Sequence, residues 1–120
     1  RVWPKTGDAS WHIDPELAPR GDEPVLSKYS AGTFATTGLE QRLRGLGVDT
    51  VLVTGVTTDV CVSTTAREAA DRNFRTIIVG DACAALSDAM HGASLEAFNL
   101  AFGWVRSANA VIDLLSAAPA

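Results

Sequence analysis

Hydrophobic and polar positions fall into two regimes along this chain. Over the opening residues Pro4, Gly7, Pro15, Pro19, Gly21 and Pro24 recur too closely for any long regular element. From Pro24 onward, short apolar runs alternate with stretches of helical period. Val25-Leu26-Ser27 predicts a short strand. Thr37 and Glu40 have the spacing of a capping box, so a helix is expected there, with Leu39, Leu43 and Leu46 on one face and Gly45 and Gly47 at its end. Thr50-Val51-Leu52-Val53-Thr54 is β-branched or apolar throughout, which suits a strand buried on both faces of a parallel sheet. The next helix is expected from Thr58 to Arg72, with Asn73 in the left-handed closing conformation. Arg75-Thr76-Ile77-Ile78-Val79 predicts a second buried strand. Ser87 is placed to cap a helix that turns Leu95, Phe98 and Phe102 inward and stops at Gly103. Trp104-Val105 predicts a short final strand, followed by a last helix through Val111, Ile112 and Leu115.

This strand–helix alternation predicts an α/β fold with a parallel sheet and crossover helices. Right-handed crossovers between strands laid down in one direction put their helices on one sheet face. Val51, Val53, Ile77 and Val79 are assigned to one face, Leu52 and Ile78 to the other, so both faces are apolar. A doubly wound sheet covers its second face by reversing direction, and no such reversal is visible here. The chain therefore reads as the second half of a larger α/β domain.

Composition narrows the class. At 120 residues, 47% apolar and 20% charged, the chain has the balance of a globular domain and not of a disordered segment. A net charge of −4 with no Lys/Arg cluster excludes a nucleic-acid footprint. No apolar run approaches the ~18 residues of a membrane span, and the opening residues do not read as a signal peptide. The two cysteines, Cys61 and Cys83, lack metal-type spacing and are expected to stay reduced, which predicts a cytoplasmic setting.

Two residues stand where parallel sheets bind ligands. Lys28 follows the first expected strand and Cys61 lies in the first turn of the helix after Thr50–Thr54, so both reach the carboxyl edge of the sheet. With Thr58 or Asp59 as the N-cap, the Cys61 thiol meets free backbone N–H groups and the positive end of the helix dipole, which favour thiolate. Those N–H groups suit the oxyanion of a tetrahedral intermediate. The Asp59 charge opposes this, and a small buried core residue is the other reading of Cys61. Asp81 reaches the same edge, either as a base or as a turn residue bonding backbone. Cys83 reads as a packed small residue. Trp3, Trp11, Tyr29 and Phe34 flank the site, and Phe34 is the one expected to approach substrate. His12 and His91 are too isolated to form a metal site.

The stretch Val53-Thr54-Gly55-Val56-Thr57-Thr58-Asp59-Val60-Cys61-Val62-Ser63-Thr64-Thr65-Ala66-Arg67-Glu68-Ala69 resembles the nucleophile segment of the isochorismatase-like cysteine hydrolases. His12-Ile13-Asp14-Pro15-Glu16-Leu17, Lys28 with Ser30 and Phe34, and Asp81-Ala82-Cys83 extend the resemblance in the family's order. It implies a three-layer α/β/α, Rossmann-like parallel sheet, of which residues 1–120 are the C-terminal portion of a single domain, without the family's first strands. It also implies that Cys61 attacks an amide carbonyl to form a thioester, that Lys28 favours the thiolate, and that the backbone N–H groups of Thr57 and Cys61 form the oxyanion hole. A non-proline cis peptide is expected at Val56–Thr57. The family's catalytic aspartate ends its first strand, and nothing here matches that segment, since Asp8, Asp14 and Asp22 follow no strand.

The function so implied is hydrolysis of a C–N bond in a small amide, ureido or carbamoyl compound, closest to the N-carbamoylsarcosine and ureido-type amidases. No cofactor is expected, and no metal, because the histidine pattern of the metal-binding nicotinamidases is not visible. The expected partners are the small substrate and further copies in a homo-oligomer, with neither nucleic acid nor membrane. Isochorismatases proper cleave a vinyl ether without this use of cysteine, so Cys61 favours an amidase. A nicotinamidase-type or isochorismatase-type hydrolase, a non-catalytic scaffold lacking the base, and a redox-sensing thiol protein are the alternatives.

Overall fold

In the computed structural model, which describes residues 4–119, the opening segment holds two short 3-10 turns, Ala9–Trp11 and Pro15–Leu17. The second begins on Asp14, whose carboxylate accepts from the Glu16 N–H, with Pro15 in the first helical position where its missing donor does no harm. Val25-Leu26-Ser27 is not a strand. Among the described residues the sheet runs β1 (Thr50–Val56), β2 (Arg75–Ala84), β3 (Trp104–Arg106) and offers this segment no ladder partner.

Helix α1 (Leu39–Gly45) starts where the sequence places it, without a capping box. Gly38 is the N-cap, and the Glu40 carboxylate turns away to Arg44 (3.4 Å) and Arg72 (3.1 Å). Charge-assisted bonds to guanidinium groups outcompete a single backbone N–H. Leu39 and Leu43 pack toward Phe34, Ala69, Phe74 and Val51, whereas Leu46, beyond the last turn, is exposed.

All three strands are parallel. A π-helical turn (Thr58–Val62) leads into α2 (Ser63–Asp71) between β1 and β2, and α3 (Asp88–Ala101) joins β2 to β3. Asn73, at φ 64°, closes α2 as expected: Phe74 N–H donates to Ala69 O and Asn73 N–H to Ala70 O, and Phe74 packs on Ala69. That is a Schellman closure with its apolar contact. Ser87 caps α3 by accepting from Met90 N–H. Gly103 follows because a Cβ there would run into the Thr76 carbonyl oxygen and the Phe98 ring.

The pairing Val53↔Ile78 and Leu52↔Ile77 corrects the expected face assignment. Val53 and Ile78 share the face packed by Val62, Ala66, Leu95 and Phe98, with Val105 beside them. Leu52, Ile77, Val79 and Trp104 look the other way. This second face is only partly open. Helix α4 (Ala108–Ala117) packs against β2, and Val79 is buried, while Leu52 and Trp104 remain 42% and 45% exposed. On α4 itself Val111 is buried, while Ile112 and Leu115 are exposed. Strand β2 also runs past the expected Val79, because a register break lets Gly55 pair with Cys83 directly after Val53 pairs with Ile78. Gly55 takes φ 114° at that break, a conformation open to glycine and strained for other residues.

Candidate active site

Beyond Gly55 the chain leaves β1 through a cis peptide between Val56 and Thr57 and enters the π-helical turn. Thr57 is the N-cap, in an extended conformation, and its carbonyl accepts from both Val60 N–H (3.2 Å) and Val62 N–H (3.1 Å). Neither Thr58 nor Asp59 takes the capping position expected of them. The Thr58 hydroxyl instead meets His91 Nδ1 at 2.7 Å, and Asp59 Oδ1 is buried without a hydrogen-bond partner among the described residues. Cys61 therefore stands within the first turn of a continuous helical stretch that runs on through α2, partly open to solvent.

Lys28 arrives from an irregular segment held against α2. Thr33 N–H donates to Thr65 Oγ1 (3.1 Å), and Phe34 N–H donates to Glu68 Oε2 (3.0 Å). Gly32 passes so close to the Glu68 carboxylate that a Cβ would overlap it. Ser30 closes the turn, donating to Gly32 O (2.6 Å). With the loop so held, Lys28 Nζ donates to Ser30 O at 2.8 Å and to Cys61 Sγ at 3.7 Å. The residues that the sequence nominated from separate elements meet here.

A hollow of about 180 Å³ opens over this pair, lined by Lys28, Thr33, Val53, Thr54, Val56, Cys61, Val62 and Thr65. Its walls are apolar and hydroxyl-bearing, with a single charged group. Phe34, expected at the substrate, is buried against Phe74 and lines a neighbouring apolar groove that shares Val53, Thr54 and Thr65 with the hollow. Trp11 and Tyr29 line a separate depression on the far side of Lys28, and Trp3 lies outside the described residues.

No aspartate lines the hollow among the described residues. The Asp81 carboxylate accepts from Ala108 N–H at 2.7 Å, at the start of α4, which is the backbone-bonding role and not that of a base. Asp8 and Asp14 accept from the N–H groups of Lys5 and Glu16 in local turns. Cys83 donates to Val79 O, and burial pushes its thiol up. Among the described residues no group of three His, Cys, Asp or Glu side chains is placed to hold a metal ion.

Three contributors escaped the sequence reading. Thr65 and Glu68 stand at i and i+3 of α2, a polar pair beside buried Ala66 and Ala69, and that interruption of the apolar face was their signal. His91 carried no signal, because its partner Thr58 is distant in sequence.

The isochorismatase domain model matches residues 1–110. An N-carbamoylsarcosine amidase from Arthrobacter sp is 34% identical over 116 residues, covering 93% of this chain and 43% of its own length. Nicotinamidase 3 of Arabidopsis thaliana is 39% identical over 84 residues, covering 70% of this chain and 41% of its own length. The crystal structure of an isochorismatase-like hydrolase from Alkaliphilus metalliredigens superposes with a TM-score of 0.87 at 33% identity, over 91% of this chain and 60% of that one. The chain thus spans less than half the length of these two curated relatives. With the match running through the β1 turn, Cys61 and α2, this chain belongs to the isochorismatase family.

Proposed function

We propose that the protein hydrolyses a C–N bond of a small amide, ureido or carbamoyl compound, with Cys61 as nucleophile. The observation that carries this is the Lys28 ammonium 3.7 Å from Cys61 Sγ, at the floor of the hollow at the carboxyl edge of the sheet. The ammonium stabilises negative charge on sulfur. The thiolate adds to the carbonyl carbon, forming the C–S bond. The oxyanion is met by the backbone N–H groups of Thr57 and Cys61. Collapse breaks the C–N bond, and the nitrogen leaves as ammonia or amine after gaining a proton. Water then cleaves the thioester, releasing the acid and restoring the thiol.

The proton carrier is a carboxylate in this reading, and none lines the hollow among the described residues. An aspartate from outside residues 1–120 is proposed for that role. Phe34 lines the apolar groove that shares Val53, Thr54 and Thr65 with the hollow, which supports its place beside the substrate. The two unpaired thiols support a reducing, cytoplasmic setting. Exposed Ile112, Leu114 and Leu115 on α4 support assembly as a homo-oligomer.

The identity to the Arabidopsis nicotinamidase favours a second reading, hydrolysis of an aromatic carboxamide. Ammonia release by the natural full-length protein from N-carbamoylsarcosine, a short ureido acid and nicotinamide separates the two. Turnover of the carbamoyl or ureido compound above nicotinamide is expected. The reverse order moves the protein to the second reading, and no release from any of the three counts against an amidase.

A further inference from the structure

The turn that carries Cys61 is tied to another element through its first residue. Thr58 is fully buried, and its hydroxyl pairs with His91 Nδ1 at 2.7 Å. His91 belongs to the first turn of α3, its own N–H donating to Ser87 O at 3.0 Å, and α3 packs directly on the π-helical turn. Within the turn, Thr57 makes no side-chain cap bond, and Ser63 Oγ donates only to Asp59 O of the same turn. The Thr58–His91 bond is thus the described side-chain hydrogen bond that fixes the start of the turn from outside.

We infer that Thr58 and His91 form a positioning pair that sets the orientation of the Thr57–Thr58 backbone toward the oxyanion of the reaction. The inference rests on the proposed Cys61 chemistry. Thr58 directly follows the residue whose N–H is assigned to the oxyanion, so a rotation of its backbone carries that donor with it. The pair acts on the acyl-transfer step and leaves the sulfur's own reactivity alone. The Thr58 hydroxyl and His91 Nδ1 can each give or take the proton of this bond, depending on the imidazole tautomer, so a polar atom placed where Nδ1 stands serves equally. Asparagine puts its carbonyl oxygen there, and glutamine puts it nearer the Nε2 position.

The test compares Thr58→Val, His91→Leu, His91→Asn, His91→Gln and Cys61→Ala in the full-length protein. Amide turnover is read with the best substrate among N-carbamoylsarcosine, the ureido acid and nicotinamide, and Cys61 alkylation is read with iodoacetamide. Alkylation forms no oxyanion and so separates positioning from general disorder of the turn. Thr58→Val and His91→Leu are expected to lower kcat by roughly ten- to a hundredfold with KM and alkylation rate held within about threefold. Their double variant should be no worse than the poorer single one, and His91→Asn should stay near wild type. Unchanged kcat in both singles overturns the pair, as does a parallel fall in turnover and alkylation, which marks a structural role only. If Thr58→Val and His91→Leu do not fold, His91→Asn against His91→Gln decides: Asn well above Gln supports the pair, and equal rates overturn it. Retained turnover in Cys61→Ala sinks the nucleophile reading itself and the pair with it, whereas an inactive Cys61→Ala beside fully active pair variants sinks the pair alone.

Discussion

At the scale of single residues, the proposed chemistry turns on one ammonium and one sulfur 3.7 Å apart. A unit charge pair at about 4 Å is worth about 1 kcal/mol in water and about 4 at an effective dielectric near 20, and a half-open hollow lies toward the lower figure. Lys28→Met is therefore expected to slow iodoacetamide alkylation of Cys61 at neutral pH by about fivefold or more. An unchanged rate would leave Lys28 a bystander. Cys83 supplies the internal reference. Burial pushes its thiol up, a hydrogen bond with the Gly55 backbone pulls against that, and the Asp81 charge adds to the rise. A raised thiol holds less thiolate at any given pH, so Cys83 should react more slowly than Cys61 across the neutral range and gain on it only in alkali. Equal rates at pH 7 would argue against activation of Cys61. Cys61 was legible because it follows β1 at the edge where parallel strands end. Lys28 was assigned to that edge through a strand that Val25-Leu26-Ser27 does not form, and it reaches Cys61 from an irregular segment. Thr58 and His91 were not legible, because a single long-range hydrogen bond leaves no spacing to read.

At the scale of elements, local signals carried far where one residue type has one use. Asn73 at φ 64° and Ser87 at the head of α3 were readable from residue type and position. The capping box failed because Glu40 had two guanidinium partners, one of them Arg72, which the local pattern could not place beside it. The longer β2 failed for a similar reason: its register break at Gly55 depends on the neighbouring strand. Gly103 tests the packing at this scale. A methyl there meets a strand carbonyl, which cannot swing aside as a side chain tip would, and the buried Phe98 ring. Gly103→Ala is expected to cost about 1–3 kcal/mol or more, read as a lower urea midpoint with an unchanged slope. An unchanged midpoint would mean that β3 and α3 shift apart at little cost.

At the scale of the whole molecule, the parallel order β1-β2-β3 followed from strands that alternate with helical periods. Which faces are closed did not follow, because burial on the Leu52 side depends on where α4 returns, and the helix-period pattern of α4 does not encode its address. The hollow is subject to the same limit. Its lining comes from β1, the π-helical turn, α2 and the Lys28 segment, and among the described residues no carboxylate is part of that lining. The central claim, covalent catalysis by Cys61, does not depend on where that carboxylate resides. The direct measurement is a rapid acid quench of the natural full-length protein during amide turnover, followed by mass analysis of the tryptic peptide Gly45–Arg67. An acyl group on Cys61 that vanishes as substrate is exhausted is the predicted result, with Cys61→Ala lacking the adduct and losing several orders of magnitude in rate. A Cys61→Ala protein that still turns over above about a hundredth of the wild-type rate would contradict the account.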